Sequence, residues 1–565
     1  MTTYYMRADG TAANKAAASG PGTSQSACMN VSVHNGETFS AGDIIKICDN
    51  GGIYYSQIVP PSAGSAGNLI TYEPETGDTP EINGSTELVG ASWADQGGNV
   101  WSTSVTTEPH IVFLNDVKGN HEATQGAVNA ANDWFWGSNV LYIYSTSNPS
   151  VAFSSIEAAI TSYVFSISSK NYVRLANLSI WKGKYDNLQV VTSDGCEFDT
   201  LAVSYANVNG ISLRGCDNCS ITNGHYHNNG TLAGDPNYAE NTGAGILLWD
   251  GSQTNTIDGV ESDNNAEDGV ALGGPIGFYS GADNVVNNCN LHDNLEDGVD
   301  IKNGNQTISG CVINDNVASG IVLHATAGVC TVVGSSFDNN GPSHFLVTDV
   351  DSGCTFEASR CVFYPGGENN ATVHLTYNNG PHKFHYCVFS DGSIYRQLQI
   401  QGGSGHEVHN CTFYCPNGGT TSLLRFTTSA ASVLVKNNVF VSSDVPLIRY
   451  DTGVTVAEAE NNSYYRSDGT ASWLDYQGTF YSKTQIDDGT VFAAKGTDGD
   501  SITGDPLMID PANDNFHLQS GSPCINAGVA VGLTQDYDGS HVPMGSAPDI
   551  GAFEFISEWF QSFRN

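Results

Sequence analysis

The 565-residue sequence predicts an all-β fold: a right-handed parallel β-helix with a β-rich N-terminal excursion and an irregular C-terminal cap. Three observations predict it. A phrase centred on Gly-Ile-x-Leu recurs as Gly210-Ile211-Ser212-Leu213, Gly245-Ile246-Leu247-Leu248, Gly269-Val270-Ala271-Leu272, Gly298-Val299-Asp300-Ile301 and Gly320-Ile321-Val322-Leu323. The copies are spaced by 35, 24, 29 and 22 residues, with short Asn/Asp stretches before most of them, and a repeat near this length signals a solenoid. Inside each phrase the apolar residues alternate at period two, the signature of a strand. The composition agrees: 63 Gly against 5 Met is rich in turns and poor in helix formers. A single strand cannot bury its apolar face alone, so successive coils must stack.

The elements follow in chain order. Residues 1–90 hold short strands between Gly/Ser/Pro turns, such as Gly42-Asp43-Ile44-Ile45 and Leu69-Ile70-Thr71-Tyr72, and read as an N-terminal cap with the first coils. A cap is needed because a bare end would expose the stacked core. Residues 91–160 break the pattern with Trp93, Trp101, Trp134, Phe135, Trp136, Tyr142 and Tyr144, and read as a β excursion with one short helix over 123–134. The large aromatics there are expected to fill a core. Residues 161–450 form the regular solenoid, interrupted by insertions at 227–243 and 273–281, and loops on a rigid scaffold are where binding tends to reside. Residues 451–565 are irregular turns and a cap.

Fourteen cysteines suggest a disulfide framework, but their positions argue otherwise. Cys289, Cys311, Cys361, Cys387 and Cys411 fall at matching points of their repeats, so they are expected as an interior ladder of free thiols. Cys216 and Cys219 form a lone CxxC with no second pair, too little for a zinc or redox site.

The formal charge of −39 argues against nucleic acid as a partner, since neutralising phosphate needs Lys and Arg. No run of apolar residues is long enough to span a membrane. The opening Met1-Thr2-Thr3-Tyr4-Tyr5 lacks the regions of a signal peptide. An export signal outside this sequence, or release by lysis as part of a phage particle, is therefore expected. The location expected is extracellular or a virion tail.

Two neighbouring repeats carry the densest chemistry: Glu267-Asp268-Gly269-Val270, and Glu296-Asp297-Gly298-Val299-Asp300-Ile301-Lys302. Equivalent residues on adjacent coils stand about 4.8 Å apart. That register is expected to set Glu267 beneath Glu296 and Asp268 beneath Asp297. With Val299 and Ile301 inward, Asp300 and Lys302 are expected to face solvent. Carboxylates so crowded call for a cation, and calcium, which takes six to eight oxygens, fits the donor type. The outward column at the Lys302 position runs through Arg214, Trp249, Gly273, Lys302, His324 and Thr348. Trp249 offers a flat face for a sugar and Arg214 a cation for its acid. His324 is a candidate proton donor or base.

The Glu296-Asp297-x-x-Asp300 spacing resembles the calcium cluster of family 9 pectate lyases. The tail Pro548-Asp549-Ile550-Gly551-Ala552-Phe553-Glu554 and the opening of the chain resemble the ends of bacterial and phage β-helix proteins of the polysaccharide lyase type. The resemblance implies that Asp268 supplies a further calcium ligand, that calcium acidifies the C5 proton of a uronate, and that a lysine removes it. The family's lysine lies well downstream, whereas here no lysine occurs between Asn303 and Lys383, which leaves Lys302 as the candidate base. Three functions follow: a calcium-assisted lyase acting on an acidic polysaccharide, a phage tailspike binding surface glycans (a homotrimer by resemblance), or a glycoside hydrolase. Asp268, Asp297 and Asp300 allow either stereochemical course of hydrolysis.

Overall fold

The computed structural model describes all residues except 232–234, 237–242, 275–280, 325–327, 348–353, 366–370, 376–379, 391–395, 418–420, 428–429, 470–471 and 557–565. Parts of both insertions, and Thr348, therefore lie outside the described residues. The chain divides into two compact units, Met1–Gly281 and Ala282–Asn565.

Each unit is a stretch of parallel solenoid whose coils contribute one short strand to each of three sheets, here called I, II and III. In the first unit one coil runs Val173–Ala176 in sheet I, Ser179–Trp181 in sheet II and Leu188–Val191 in sheet III. The next coil repeats this with Glu197–Asp199, Ala202–Ser204 and Ile211–Arg214, each paired in parallel with its predecessor. Sheet I starts with Thr3–Arg7, Ile44–Cys48 and Ile70–Pro74, and the last of these pairs directly with Val173–Ala176. Between those two strands the chain leaves the solenoid. It builds a five-stranded sheet from 94–144 and a four-stranded sheet around Ile156–Ala159, with Trp93, Trp134, Leu141 and Ile143 in their shared core.

The sequence expects a helix over 123–134, and the structure replaces it. Only Gln125–Ala127 forms a turn of 3-10 helix, and Asp133–Gly137 is a strand antiparallel to Val140–Tyr144. Gly126 and a left-handed Asn132 (φ 68°) break the helix, while alternation buries Trp134 and turns Phe135 toward the surface.

Corners explain the recurring Asn/Asp. The single residue that turns sheet I into sheet II is left-handed at Asn177, Thr200 and Asn223 of the first unit, and at Asn288, Arg360, Tyr386, Asn410, Asn437 and Asn461 of the second. A second left-handed corner after sheet II falls at Asn228, Asn264, Asp293, Asp315 and Asn339. Asn and Asp tolerate that conformation best among residues with a side chain. The residue after this corner is an inward Asn. In the second unit Asn294 Nδ2 donates to Asn316 Oδ1 at 2.9 Å and Asn316 Nδ2 to Asn340 Oδ1 at 2.8 Å, so a buried polar ladder runs along the axis, each member satisfied by the next.

The glycine of the phrase has another cause. Gly298 is not left-handed; a Cβ there would stand 2.6 Å from the Gly320 carbonyl oxygen and 2.5 Å from Ile313 Cγ2. Close approach of the next coil, not backbone freedom, demands glycine.

The core is built of like residues stacked on like. In the second unit Phe337, Phe363, Phe389, Phe413, Phe440 and Tyr464 stack through sheet II with centroid separations of 5.0, 4.9, 4.5, 4.8 and 5.7 Å. Each such contact adds about 0.5–1.5 kcal/mol beyond burial. The tail then covers the outer face of sheet II, packing Met508, Phe516, Leu518 and Phe553 against Val388, Tyr414 and Val439. The corner residues Asn410, Asn437 and Asn461 hold it by donating to the carbonyls of Asp549, Val529 and Ala527.

Thirteen of the cysteines, Cys216 and Cys219 included, are free and buried, as an interior ladder requires. Among the described residues no helix is long and apolar enough to cross a membrane.

Two outcomes test this packing. Phe389→Ala, in the middle of the aromatic stack, should cost about 3–5 kcal/mol in urea unfolding. The thirteen buried thiols should stay inert to a thiol reagent in the native protein and react on unfolding.

Candidate functional site

The local sequence of the second unit fixes three acids on the outer surface of sheet III. The corner at Asp293 and the ladder residue Asn294 set the backbone, and Ala318 N donates to the Glu296 carbonyl at 2.8 Å. Asp297 is then clamped: its Oδ1 accepts Ser319 N at 2.6 Å while Gly298 N donates to the Ser319 carbonyl at 2.9 Å. Val299–Ile301 pairs with Ser319–Leu323, with Val299 and Ile301 inward as expected.

Asp300 does not face solvent as the alternation suggests. It is 5% exposed, and Val322, its neighbour on the next coil, is equally covered. An outward position in a solenoid is still walled by the same position one coil along. Lys302 lies beside it, its Nζ 2.8 Å from Asp300 Oδ2. The other oxygen, Asp300 Oδ1, is buried without a hydrogen bond and stands 4.0 Å from His324 Nε2. Glu296 and, in part, His324 remain exposed.

The electrostatics follow from this crowding. Asp297 is pushed up to about 7, first by burial, then by Asp300 and Glu296. Glu296, Asp297 and Asp300 offer only hard oxygens, and one buried oxygen has no donor. Oxygen donors are the type calcium takes, but among the described residues these three acids are not a group whose ligand atoms converge within 4.8 Å. Lys302 is the competing cation, already on one oxygen of Asp300.

The remaining candidates lie in the first unit. Glu267 and Asp268 are each 4% exposed on the turn before Val270–Leu272. Arg214 and Trp249 are neighbours on adjacent coils, the guanidinium 4.9 Å above the indole centroid and 2.9 Å from Asp250 Oδ2. Trp249 rests on Ala244, Leu247 and Ala271, so one face of it is spent on packing.

One acid of this unit escapes the repeat reading. Asp186 precedes Leu188–Val191 as Asp268 precedes Val270–Leu272, but Asn187 stands where the phrase has glycine. Its carboxylate accepts Asn209 N, Asn209 Nδ2 and Ser212 Oγ at 3.1, 3.0 and 2.6 Å, and burial raises its pKa. Aligning the turns rather than the Gly-Ile phrase would have found it.

A family model described as a right handed beta helix region matches residues 163–336 and 273–361, and the chain is a right-handed parallel β-helix. No curated protein sequence matches it. Among solved structures it is similar to XylC in complex with xylose, at 12% identity over 98% of each chain with a TM-score of 0.49. It is similar to the pectate lyase Pel9A at 14% identity, over 98% of this chain and 97% of that one, with a TM-score of 0.40. The tailspike protein gp49 of Pseudomonas phage LKA1 is 14% identical over 74% of each chain, with a TM-score of 0.32. Likeness at this level assigns no chemistry and no residue roles.

The raised Asp297 carries a pH signature. Its folded pKa of about 7 lies above the ordinary 3.8, so the folded state binds more protons through that window and stability falls as pH rises across it. Asp297→Asn keeps the acceptor for Ser319 N and removes the charge. In the presence of chelator it should be more stable than the parent at pH 8 and equal to it near pH 4, read from urea midpoints.

Proposed function

We propose that this chain is an extracellular or virion-borne carbohydrate-active protein, a lyase that cleaves a uronate-containing polysaccharide by β-elimination with calcium at Glu296, Asp297 and Asp300. The reading rests on one observation above the others: the buried Asp300 Oδ1 that no donor satisfies, beside an Asp297 that burial first, and Asp300 and Glu296 after it, push up to about 7. Both features describe a site short of positive charge. Bound calcium would supply a Lewis acid that holds the uronate carboxylate and acidifies its neighbouring C–H.

The chain's own residues do the rest. Glu296, Asp297 and Asp300 hold the ion. Lys302 takes the C5 proton, which requires its ammonium to be weakened by a second cation on the Asp300 carboxylate it now pairs with. His324, half exposed at the same site, protonates the departing glycosidic oxygen. Separately, in the first unit, Arg214 held over Trp249 offers a cation to an acid group of a glycan.

A second reading draws on Asp297 itself. A carboxylic acid kept protonated near neutral pH beside an Asp paired with lysine is the separation of roles that a glycoside hydrolase needs.

Product analysis on polyuronate substrates separates them. Elimination yields an unsaturated, ultraviolet-absorbing end, lost with chelator and in Asp300→Ala and Lys302→Ala by at least about a hundredfold. Full turnover in either variant contradicts the assignment. New reducing ends without unsaturation favour hydrolysis by Asp297 and Asp300.

A further inference from the structure

Sheet I of the second unit carries two histidine pairs on the same two coils, at Lys383–His385 and Glu407–His409. The inner pair is committed to the backbone: Phe356 N donates to His382 Nδ1 at 3.2 Å, and His382 N donates to His406 Nδ1 at 3.1 Å. The outer pair has no such work. His385 and His409 stand in register on adjacent strands, their rings 15° apart with centroids 5.4 Å apart.

What they share is Glu407. Its Oε2 lies 3.2 Å from His385 Nε2 and 4.0 Å from His409 Nδ1. The flanking ammonium groups are placed on other acids, Lys383 on Glu357 at 2.7 Å, and Lys436 on Glu458 and on Glu460, at 3.0 Å from the latter. His409 is only 6% exposed, and its Nε2 is buried without a hydrogen-bond partner. One ligand atom from each of the three residues falls within 4.8 Å of the others.

We infer that His385, Glu407 and His409 form a binding site for a divalent first-row transition metal ion, with zinc the ion this donor set suits. Two imidazole nitrogens and one carboxylate oxygen are three ligands of a tetrahedral site with the fourth position open. Nitrogen donors also separate this site from the all-oxygen cluster at Asp300, which suits calcium. Bond lengths of about 2.0–2.2 Å place tetrahedral ligand atoms roughly 3.3 Å apart. The His385–Glu407 edge already has that length; the His409 edge closes by a small rotation of the ring, a soft torsion. An ion there ties two successive coils together from outside the core.

The test uses the full chain stripped of metal and titrated with cobalt(II), with calcium in excess to fill oxygen-only sites. One cobalt per chain with the visible absorption of a four-coordinate, nitrogen-ligated ion, displaced by zinc, is expected. Binding should weaken by more than the 10–100-fold typical of losing even an outer-shell partner in His385→Ala, His409→Ala and Glu407→Gln. His385 is the more exposed of the two histidines, so His385→Ala should keep the parent's unfolding midpoint and still lose the band. No visible band in the parent protein, or a band unchanged in His385→Ala, overturns the inference. So does a band lost in His225→Ala, which would place the ion at the His225–Asp263 pair of the first unit.

Discussion

Backbone hydrogen bonds between parallel coils hold each residue about 4.8 Å from its counterpart one coil along, and everything else in this molecule answers to that spacing. Like must tolerate like. Phenylalanine on phenylalanine stacks well, and asparagine on asparagine completes a hydrogen-bond ladder in which each side chain both gives and receives. Glycine appears where the neighbouring carbonyl comes too close for any Cβ, as at Gly298. Charge on like charge would be the exception, because at that distance it repels, and Asp300 stands against Val322 instead.

The protein carries this tension throughout, with 59 acidic residues against 20 Lys+Arg. Much of it is relieved locally. Lys182 is buried against Glu157 and Asp116 beneath the excursion, and Arg425 and Arg449 converge on Asp451. At Asp300 a lysine holds one carboxylate oxygen while the other, buried, accepts no hydrogen bond. A cation there would resolve both the raised Asp297 and the unsatisfied oxygen of Asp300. That surplus of oxygen donors gives the proposed chemistry its physical basis.

The fold was largely legible in the sequence because solenoid signals repeat. The Gly-Ile-x-Leu phrase located sheet III, the alternation oriented Val299 and Ile301 inward, and the matched cysteines were correctly read as buried thiols. Residues 123–134 misled, since aromatic alternation there belongs to an antiparallel strand outside the repeat. The candidate site offers its residue types to a reader of the sequence but not their depth. Period-two patterning says that Asp300 points away from the core, yet cannot say that Val322 and Lys302 would cover it. Asp186 was missed because asparagine replaces the marker glycine. His385 and His409 carry no repeat signal of their own, because the marker that recurs on those coils is Cys387 and Cys411, two residues further along.

The central claim is that the acids of sheet III form a cation site, and calorimetry of calcium binding to metal-stripped protein tests it most directly. The account predicts saturable binding that vanishes when Asp297 and Asp300 are both replaced by alanine, with the fold intact. Absence of binding in the parent protein, or equal binding in the double variant, would contradict it and leave these carboxylates as a hydrolytic pair or a solvated ridge.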